Sequence, residues 1–304
     1  MTKSANPTPP ATAEQSWAHT ILRTACDSVG LDSHGAHLIK FTNNAVFQLA
    51  KDPFVVRIAG SQAVNARATK VVQVARWFAK QEVPAVRLVD SLPQPHTIDK
   101  HAVTFWHTVA SIRGAPAPNG QDLGKILSCI HQLPRTELPM WDPFTEIQRR
   151  LDQQSILAVD ELAFLRDECA ELFSAVGELD YALPGGLIHG DAFVGNLVQG
   201  RGDPVICDFD STCIGPREWD LTPVAVGALR FTYPENYHNQ LVHTYGWDVT
   251  RWSGFATLRR LRELQLVTSV LPVLDMNPSL KEQWQWRFSS YRHRDMSARW
   301  QPYQ

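Results

Sequence analysis

Apolar and polar residues are spaced differently in the two parts of this chain. Short runs of strand character come first, His37–Phe41, Ala45–Leu49 and Phe54–Ile58, joined by the turn-forming Asn43-Asn44 and Lys51-Asp52-Pro53. Residues 62–81 then carry Val71, Val74, Ala75 and Phe78 on one helical face. Val86–Val89 and Ala102–Trp106 read as two further strands. Upstream, Thr12-Ala13-Glu14-Gln15 has the form of a capping box opening a helix to about Val29. Gly114–Gly120 is a loop rich in Pro, Gly and Asn, and Leu123–His131 starts a mainly helical remainder. Its later helices are expected near Glu218–Leu229, Glu235–Tyr245, Gly254–Leu271 and Ser279–Tyr291, with Leu258, Leu261, Leu264 and Val267 at core spacing. Strands early and helices late make the fold α+β.

The bulk numbers narrow the function. A 304-residue chain that is 44% hydrophobic can bury one large core or two smaller ones. A net charge of −2 and a pI near 6.6 supply no broad basic field, so nucleic acid is not an implied partner. Five cysteines without a C-x2-C pair argue against zinc and a disulfide framework and fit a reducing, cytoplasmic setting. No apolar run approaches the length of a membrane-spanning helix, so no membrane partner is expected. Residues 1–13, rich in Pro, Thr and Ala, read as a disordered tail rather than a signal peptide.

The candidate chemistry begins at His189-Gly190-Asp191, the head of an H-G-D-x4-N-x11-D-x-D series that ends at Asp208-Phe209-Asp210 after the apolar Pro204–Cys207. An aspartate in such a loop can orient a hydroxyl and accept its proton, while an Asn and a second Asp hold a metal across phosphates. Asp191, Asn196 and Asp208 fill those places. Each element alone is common, a turn or a strand end, but the ordered set is much rarer.

This segment resembles the catalytic loop and metal-binding strand of the aminoglycoside phosphotransferase and choline kinase family, the small-molecule relatives of protein kinases. The continuation Gly215-Pro216-Arg217-Glu218-Trp219-Asp220-Leu221 also resembles the family, and the specific match spans residues 187–221. The resemblance implies a bilobal protein-kinase-like fold. It implies an N-lobe over 14–107 and a helical C-lobe over 108–304, with catalytic loop 187–197 and metal-binding segment 204–220. It implies ATP, or GTP, with Mg2+, and a small-molecule hydroxyl as acceptor. By the same resemblance Asp191 is the catalytic aspartate, Asn196 and Asp208 are the metal ligands, and His189 braces the loop. Asp220 anchors the loop from the following helix, and Asp210 supports the metal shell or caps the turn.

Two further assignments rest on the resemblance and on departures from it. Arg57, in Val55-Val56-Arg57-Ile58, falls where a kinase strand carries the cation that grips phosphate, and its guanidinium fork suits phosphate oxygens. A glycine-rich phosphate cradle is absent; Asn43 and Asn44 can take left-handed turn geometry in its place, or form an ordinary hairpin turn. The helix after Arg57 lacks the glutamate that usually pairs with the strand cation, having Asn65, Ala66 and Arg67 there. Either another acid supplies that pair or phosphate alone holds Arg57.

Two rival readings remain. Asp208-Phe209-Asp210-Ser211-Thr212 fits the D-x-D-x-T signature of haloacid-dehalogenase-like phosphatases, with Asp208 as nucleophile. That reading needs a downstream lysine and acidic pair, and leaves 189–196 unexplained. A catalytically silent binding protein of the same fold is the other. The concentration of Asp191, Asp208, Asp210, Glu218 and Asp220 leads us to expect a cationic acceptor, an aminoglycoside, amino sugar or amino alcohol. The trailing Arg287, Arg292, His293, Arg294 and Arg299 read as a solvated helix face.

Overall fold

The computed structural model describes residues 13–303 apart from 42, 43, 111, 113 and 276. The expected tail and the Thr12 cap lie outside the described residues, save Ala13, which opens the first helix. The chain forms two compact units, the first running to Ala115 and taking in Gly200–Asp210, the second made of Pro116–Gln199 and the chain from Ser211 on.

The first unit has helix α1 (Ala13–Ser28) and strands β1 (His37–Phe41), β2 (Asn44–Gln48) and β3 (Phe54–Ala59). Helix α2 (Gln62–Lys80) and strands β4 (His96–Ile98) and β5 (His101–His107) complete its regular elements. The sheet is antiparallel in the order β1-β2-β3-β5-β4. Side chains alternate between its faces: Val56 and Ile58 are sealed against Ala18, Leu22 and Cys26 of α1, which leaves Arg57 to the opposite face. The β4–β5 hairpin turns at Asp99-Lys100, both at positive φ, which suits the two-residue turns of twisted hairpins. Asn65 of α2 pins that turn, donating to Lys100 O at 2.6 Å and accepting from Ala102 N at 2.7 Å.

Val86–Val89 is not a strand. Its backbone divides between two partners, Val86 N donating to Ile206 O and Val89 N to Phe105 O, so no continuous ladder forms. The first partner explains why Gly200–Asp210 belongs to this unit: Ala85 and Ile206 form a parallel bridge.

The second unit is helical, with α3 (Gly120–Gln132), α4 (Phe144–Gln153) and α5 (Val159–Gly177) before strand β6 (Gly186–Ile188). Strand β6 pairs antiparallel with Cys213–Gly215. Helices α6 (Arg217–Arg230), α7 (Tyr237–Tyr245), α8 (Phe255–Thr268) and α9 (Pro278–Arg292) complete it. Leu258, Leu261, Leu264 and Val267 of α8 lie in one apolar core with Leu165 and Leu172 of α5 and Trp284 and Phe288 of α9. Among the described residues no helix is long and apolar enough to cross a membrane.

Three arginines of α8 face three ways, because successive helical residues turn by about 100°. Arg259 pairs with Glu263, Arg260 with Glu168 and Glu171, and Arg262 with Asp191. Arg287 also departs from expectation: it is buried, with its guanidinium 3.6 Å above the Tyr303 ring and a hydrogen bond to Gln301 O. A planar, weakly hydrated guanidinium can be buried where aromatic faces and carbonyls replace water.

A buried ion cluster in this unit supplies a stability test. Glu263 accepts from Arg230 Nε at 2.7 Å and Nη2 at 2.9 Å, and from Arg259 Nε at 2.7 Å. Arg230 is 1% exposed. Glu263→Gln would strand two buried guanidinium charges, and chemical denaturation should show a loss of about 3–5 kcal/mol. A loss under about 1 kcal/mol would mean that water or another acid takes over.

Candidate functional site

In the second unit, the loop after β6 is held by its neighbours. Asp220, in the first turn of α6, is fully buried and accepts the backbone N–H of His189 at 2.6 Å and of Gly190 at 2.7 Å. His131 of α3 adds a third contact, Nε2 to Asp220 Oδ2 at 3.1 Å, and Tyr245 of α7 meets its other ring nitrogen at 2.8 Å. Trp219 Nε1 donates to Gly190 O at 2.8 Å, so consecutive residues of α6 hold both backbone groups of Gly190. Gly190 has φ +86°, and a Cβ there would lie 2.1 Å from Ser211 O. Only glycine fits such a turn.

Asp191 leaves this clamp with its side chain 35% exposed. Asn196 closes the short 3-10 turn Val194–Asn196 and donates from Nδ2 to Asp191 O at 2.9 Å. That bond orients the amide and leaves Oδ1, the atom a hard cation prefers. His189 is fully buried, its carbonyl accepting from Thr212 Oγ1 at 3.3 Å.

In the first unit, Phe209 is 1% exposed and meets Phe78 of α2 edge-on at 5.3 Å and Trp106 of β5 at 6.1 Å. This apolar plug fixes the two aspartates on either side of it. Asp208 sits at φ +69°, a left-handed conformation tolerated by Asp and concentrated at functional sites. Burial, and then the charge of Asp208, push the Cys207 thiol up to about 11, so it is a packed thiol and no nucleophile.

Asp210 supplies the acid missing from α2. Its carboxylate pairs with Arg57 of β3, and its backbone carbonyl accepts from Lys70 of α2. Burial alone would raise the Asp210 carboxyl, but the Arg57 charge and the hydrogen bonds with Asp208 and Arg57 hold it below the usual carboxylate range. A glutamate on the helix is the pattern sequence reasoning looks for, and a pair reaching from residue 57 to residue 210 carries no local signal. Asn43 lies outside the described residues. Asn44 opens β2 opposite Ala59, and its Oδ1 is buried with no hydrogen-bond partner among the described residues.

Sequence reasoning missed Arg262. Its Nη2 lies 2.8 Å from Asp191 Oδ1. Two of the acids therefore face an arginine, Asp191 with Arg262 in the second unit and Asp210 with Arg57 in the first, while Asp220 has two amides and His131 and Glu218 accepts from Leu183 N at 2.7 Å. Two of the carboxylates are thus offset by arginines, while those of Asp220 and Glu218, held by neutral backbone amides, keep their charge.

The profile of the phosphotransferase enzyme family matches residues 40–264. No curated protein matches the chain. Among solved structures, a choline/ethanolamine kinase family protein from Mesorhizobium loti aligns over 92% of this chain and 94% of its own, at 17% identity and a TM-score of 0.63. Amicoumacin kinase hAmiN, in complex with AMP-PNP, Ca2+ and Ami, aligns over 95% and 98% at 12% identity and a TM-score of 0.68. Choline kinase LicA from Streptococcus pneumoniae aligns over 90% and 99% at 12% identity and a TM-score of 0.63. The α+β fold is the kinase-like fold of these proteins.

Substitutions probe both clamps. Gly190→Ala must move the loop backbone, and a shift near 1 Å at a catalytic group costs on the order of 100-fold in rate. We expect that loss in turnover with nucleotide affinity changed only a few-fold; an active Gly190→Ala would show that the loop does not set the position of Asp191. A double-mutant cycle with Arg57→Ala and Asp210→Asn should give a coupling of about 0.5–3 kcal/mol in unfolding free energy. Additive effects would make the pair an incidental contact.

Proposed function

The chain belongs to the phosphotransferase enzyme family, and we propose that it moves the terminal phosphoryl group of ATP, or of GTP, to a hydroxyl of a small molecule that Asp191 orients. Membership makes it a small-molecule phosphotransferase with a hydroxyl acceptor. In the proposed step the acceptor oxygen attacks the γ-phosphorus, and the bond to the β,γ-bridging oxygen breaks with its electron pair leaving on the nucleoside diphosphate. The hydroxyl proton passes to the Asp191 carboxylate.

The observation that carries this reading is the second unit's clamped loop, in which Asp220 and Trp219 fix the backbone immediately before Asp191. A base held on a buried, hydrogen-bonded backbone is positioned before the acceptor arrives, and positioning is most of what phosphoryl transfer asks of a protein. Arg57, oriented by Asp210, offers its guanidinium to phosphate oxygens.

Asn196 Oδ1 and the Asp208 carboxylate are hard oxygen donors suited to Mg2+. Among the described residues no group of three or more His, Cys, Asp or Glu gathers as a metal set. Few protein ligands suit magnesium that arrives on a nucleotide, because it keeps water and phosphate oxygens in its shell. Bound there, it would neutralise charge on the phosphates. Five cysteines outside any disulfide suit a reducing compartment, and we propose a cytoplasmic enzyme.

The phosphatase reading fails on family membership and on Asp210, whose Arg57 partner stabilises the carboxylate rather than the protonated acid that such a mechanism uses. The structural relatives act on different acceptors by name, and at 12–17% identity they do not choose one for this chain.

Asp191→Asn should bind Mg-ATP normally and lose roughly 10²–10⁴ in phosphoryl transfer, the usual cost of a lost general base. Asp208→Asn should instead raise the magnesium concentration needed for half-maximal rate, because a neutral amide is a poor ligand for a hard cation. Wild-type turnover in the Asp191 variant would remove the base from the scheme. A phospho-aspartyl adduct trapped at Asp208 without nucleotide would restore the phosphatase.

A further inference from the structure

Arg262 lies on α8, far along the sequence from the loop it touches, and its side chain is 15% exposed. Its Nη2 stands 2.8 Å from Asp191 Oδ1. Asp191 Oδ1 has no aligned hydrogen-bond donor, so the contact is a charge pair rather than a directed hydrogen bond. Among the described residues Arg262 makes one hydrogen bond, from Nη1 to Gln265 Oε1 at 3.2 Å. A guanidinium has five N–H donors. Its remaining N–H groups make no other hydrogen bond among the described residues, and the side chain is part-exposed.

An arginine used only for structure looks different in this unit. Arg230 spends its fork on both oxygens of Glu263 and on the carbonyls of Asp295 and Ala298. Arg262 keeps most of its donors open beside the carboxylate that orients the acceptor. The field of Arg262 reaches the phenol of Tyr233, which is 40% exposed and packs with Phe231 at 5.8 Å and Tyr237 at 5.5 Å between ring centres. Guanidinium donors left open at a carboxylate that orients a hydroxyl suit a small molecule with an anionic group.

Resting on the phosphotransferase reading, we infer that Arg262 selects acceptors carrying an oxyanion, a carboxylate or a phosphate, next to the hydroxyl that Asp191 orients. The open N–H groups bind the oxyanion while Asp191 Oδ2 meets the hydroxyl, so one arginine holds base and acceptor together. A polycationic acceptor brings its ammonium groups against a like charge that already occupies Asp191.

The test is ADP formation from Mg-ATP over four sets of hydroxyl compounds: hydroxy acids, sugar phosphates, amino alcohols with aminoglycosides, and neutral polyols. Mg-ATP binding is measured separately by calorimetry. The best acceptor is then taken through wild type, Arg262→Gln and Arg262→Lys. Turnover should fall in the hydroxy-acid or the sugar-phosphate set, and which of the two responds identifies the oxyanion. Arg262→Gln should raise the acceptor KM by about 10–100-fold, the worth of a charge-assisted hydrogen bond. The KM for ATP should stay within about twofold, and Arg262→Lys should recover part of the loss. Turnover only with amines or neutral polyols, or none with either oxyanion set, overturns the inference. So does an Arg262→Gln variant that lowers kcat equally for every acceptor with KM unchanged, because that is the behaviour of a brace for Asp191 alone. Failure to bind Mg-ATP would instead defeat the phosphotransferase reading itself.

Discussion

The buried carboxylate of Asp220 is the contact on which the functional half of the second unit depends. It receives the amides of His189 and Gly190 and the ring of His131, and it sits in the first turn of α6, where a negative charge is favoured by the helix dipole. A carboxylate sealed from water is tolerable only with such a full set of partners. The requirement works in both directions. The loop, α3 and α6 must meet in one arrangement to satisfy it, and once they do, Gly190 is locked in its left-handed turn and Asp191 emerges from a fixed backbone.

The first unit solves a similar problem with a different pair. Arg57 lies on the sheet face away from the α1 core, where a largely buried guanidinium needs an anion. Asp210 provides it from a segment that Phe209 anchors among Phe78 and Trp106. Lys70 adds a bond to the same residue's carbonyl. The helix that would ordinarily offer an acid contributes a cation, and the acid comes from the loop beside Asp208. Asp208 and the partner of Arg57 thereby lie two residues apart in the chain.

Charge near the candidate catalytic residues is set by these pairings rather than by composition. Five carboxylates stand in a run of thirty residues; Asp191 and Asp210 face Arg262 and Arg57, and Asp220 and Glu218 accept from backbone N–H groups. A formal count overstates the field because it treats neighbours in sequence as neighbours in space. Arg262 and Arg57, which neutralise two of the acids, lie about 70 and 150 positions from them, and no sequence window joins them.

What the sequence alone determined was local. Strand and helix periodicity placed β1, β2, β3, β5, α2 and the later helices close to where they form, since a half-buried strand or helix must repeat its apolar residues at the backbone's own period. The H-G-D-x4-N-x11-D-x-D spacing identified the family because a tight loop and its following strand are built from consecutive residues. Tertiary structure decided the rest. Val86–Val89 has strand composition, but its backbone is shared between Ile206 and Phe105, and composition carries no record of a partner. Arg287 has the charge of a surface residue, but the rings that let it be buried come from elsewhere in the fold. The acid for Arg57 and the cation for Asp191 were equally out of reach of sequence, because an ion pair needs only a few ångströms of proximity and leaves no period or spacing behind it.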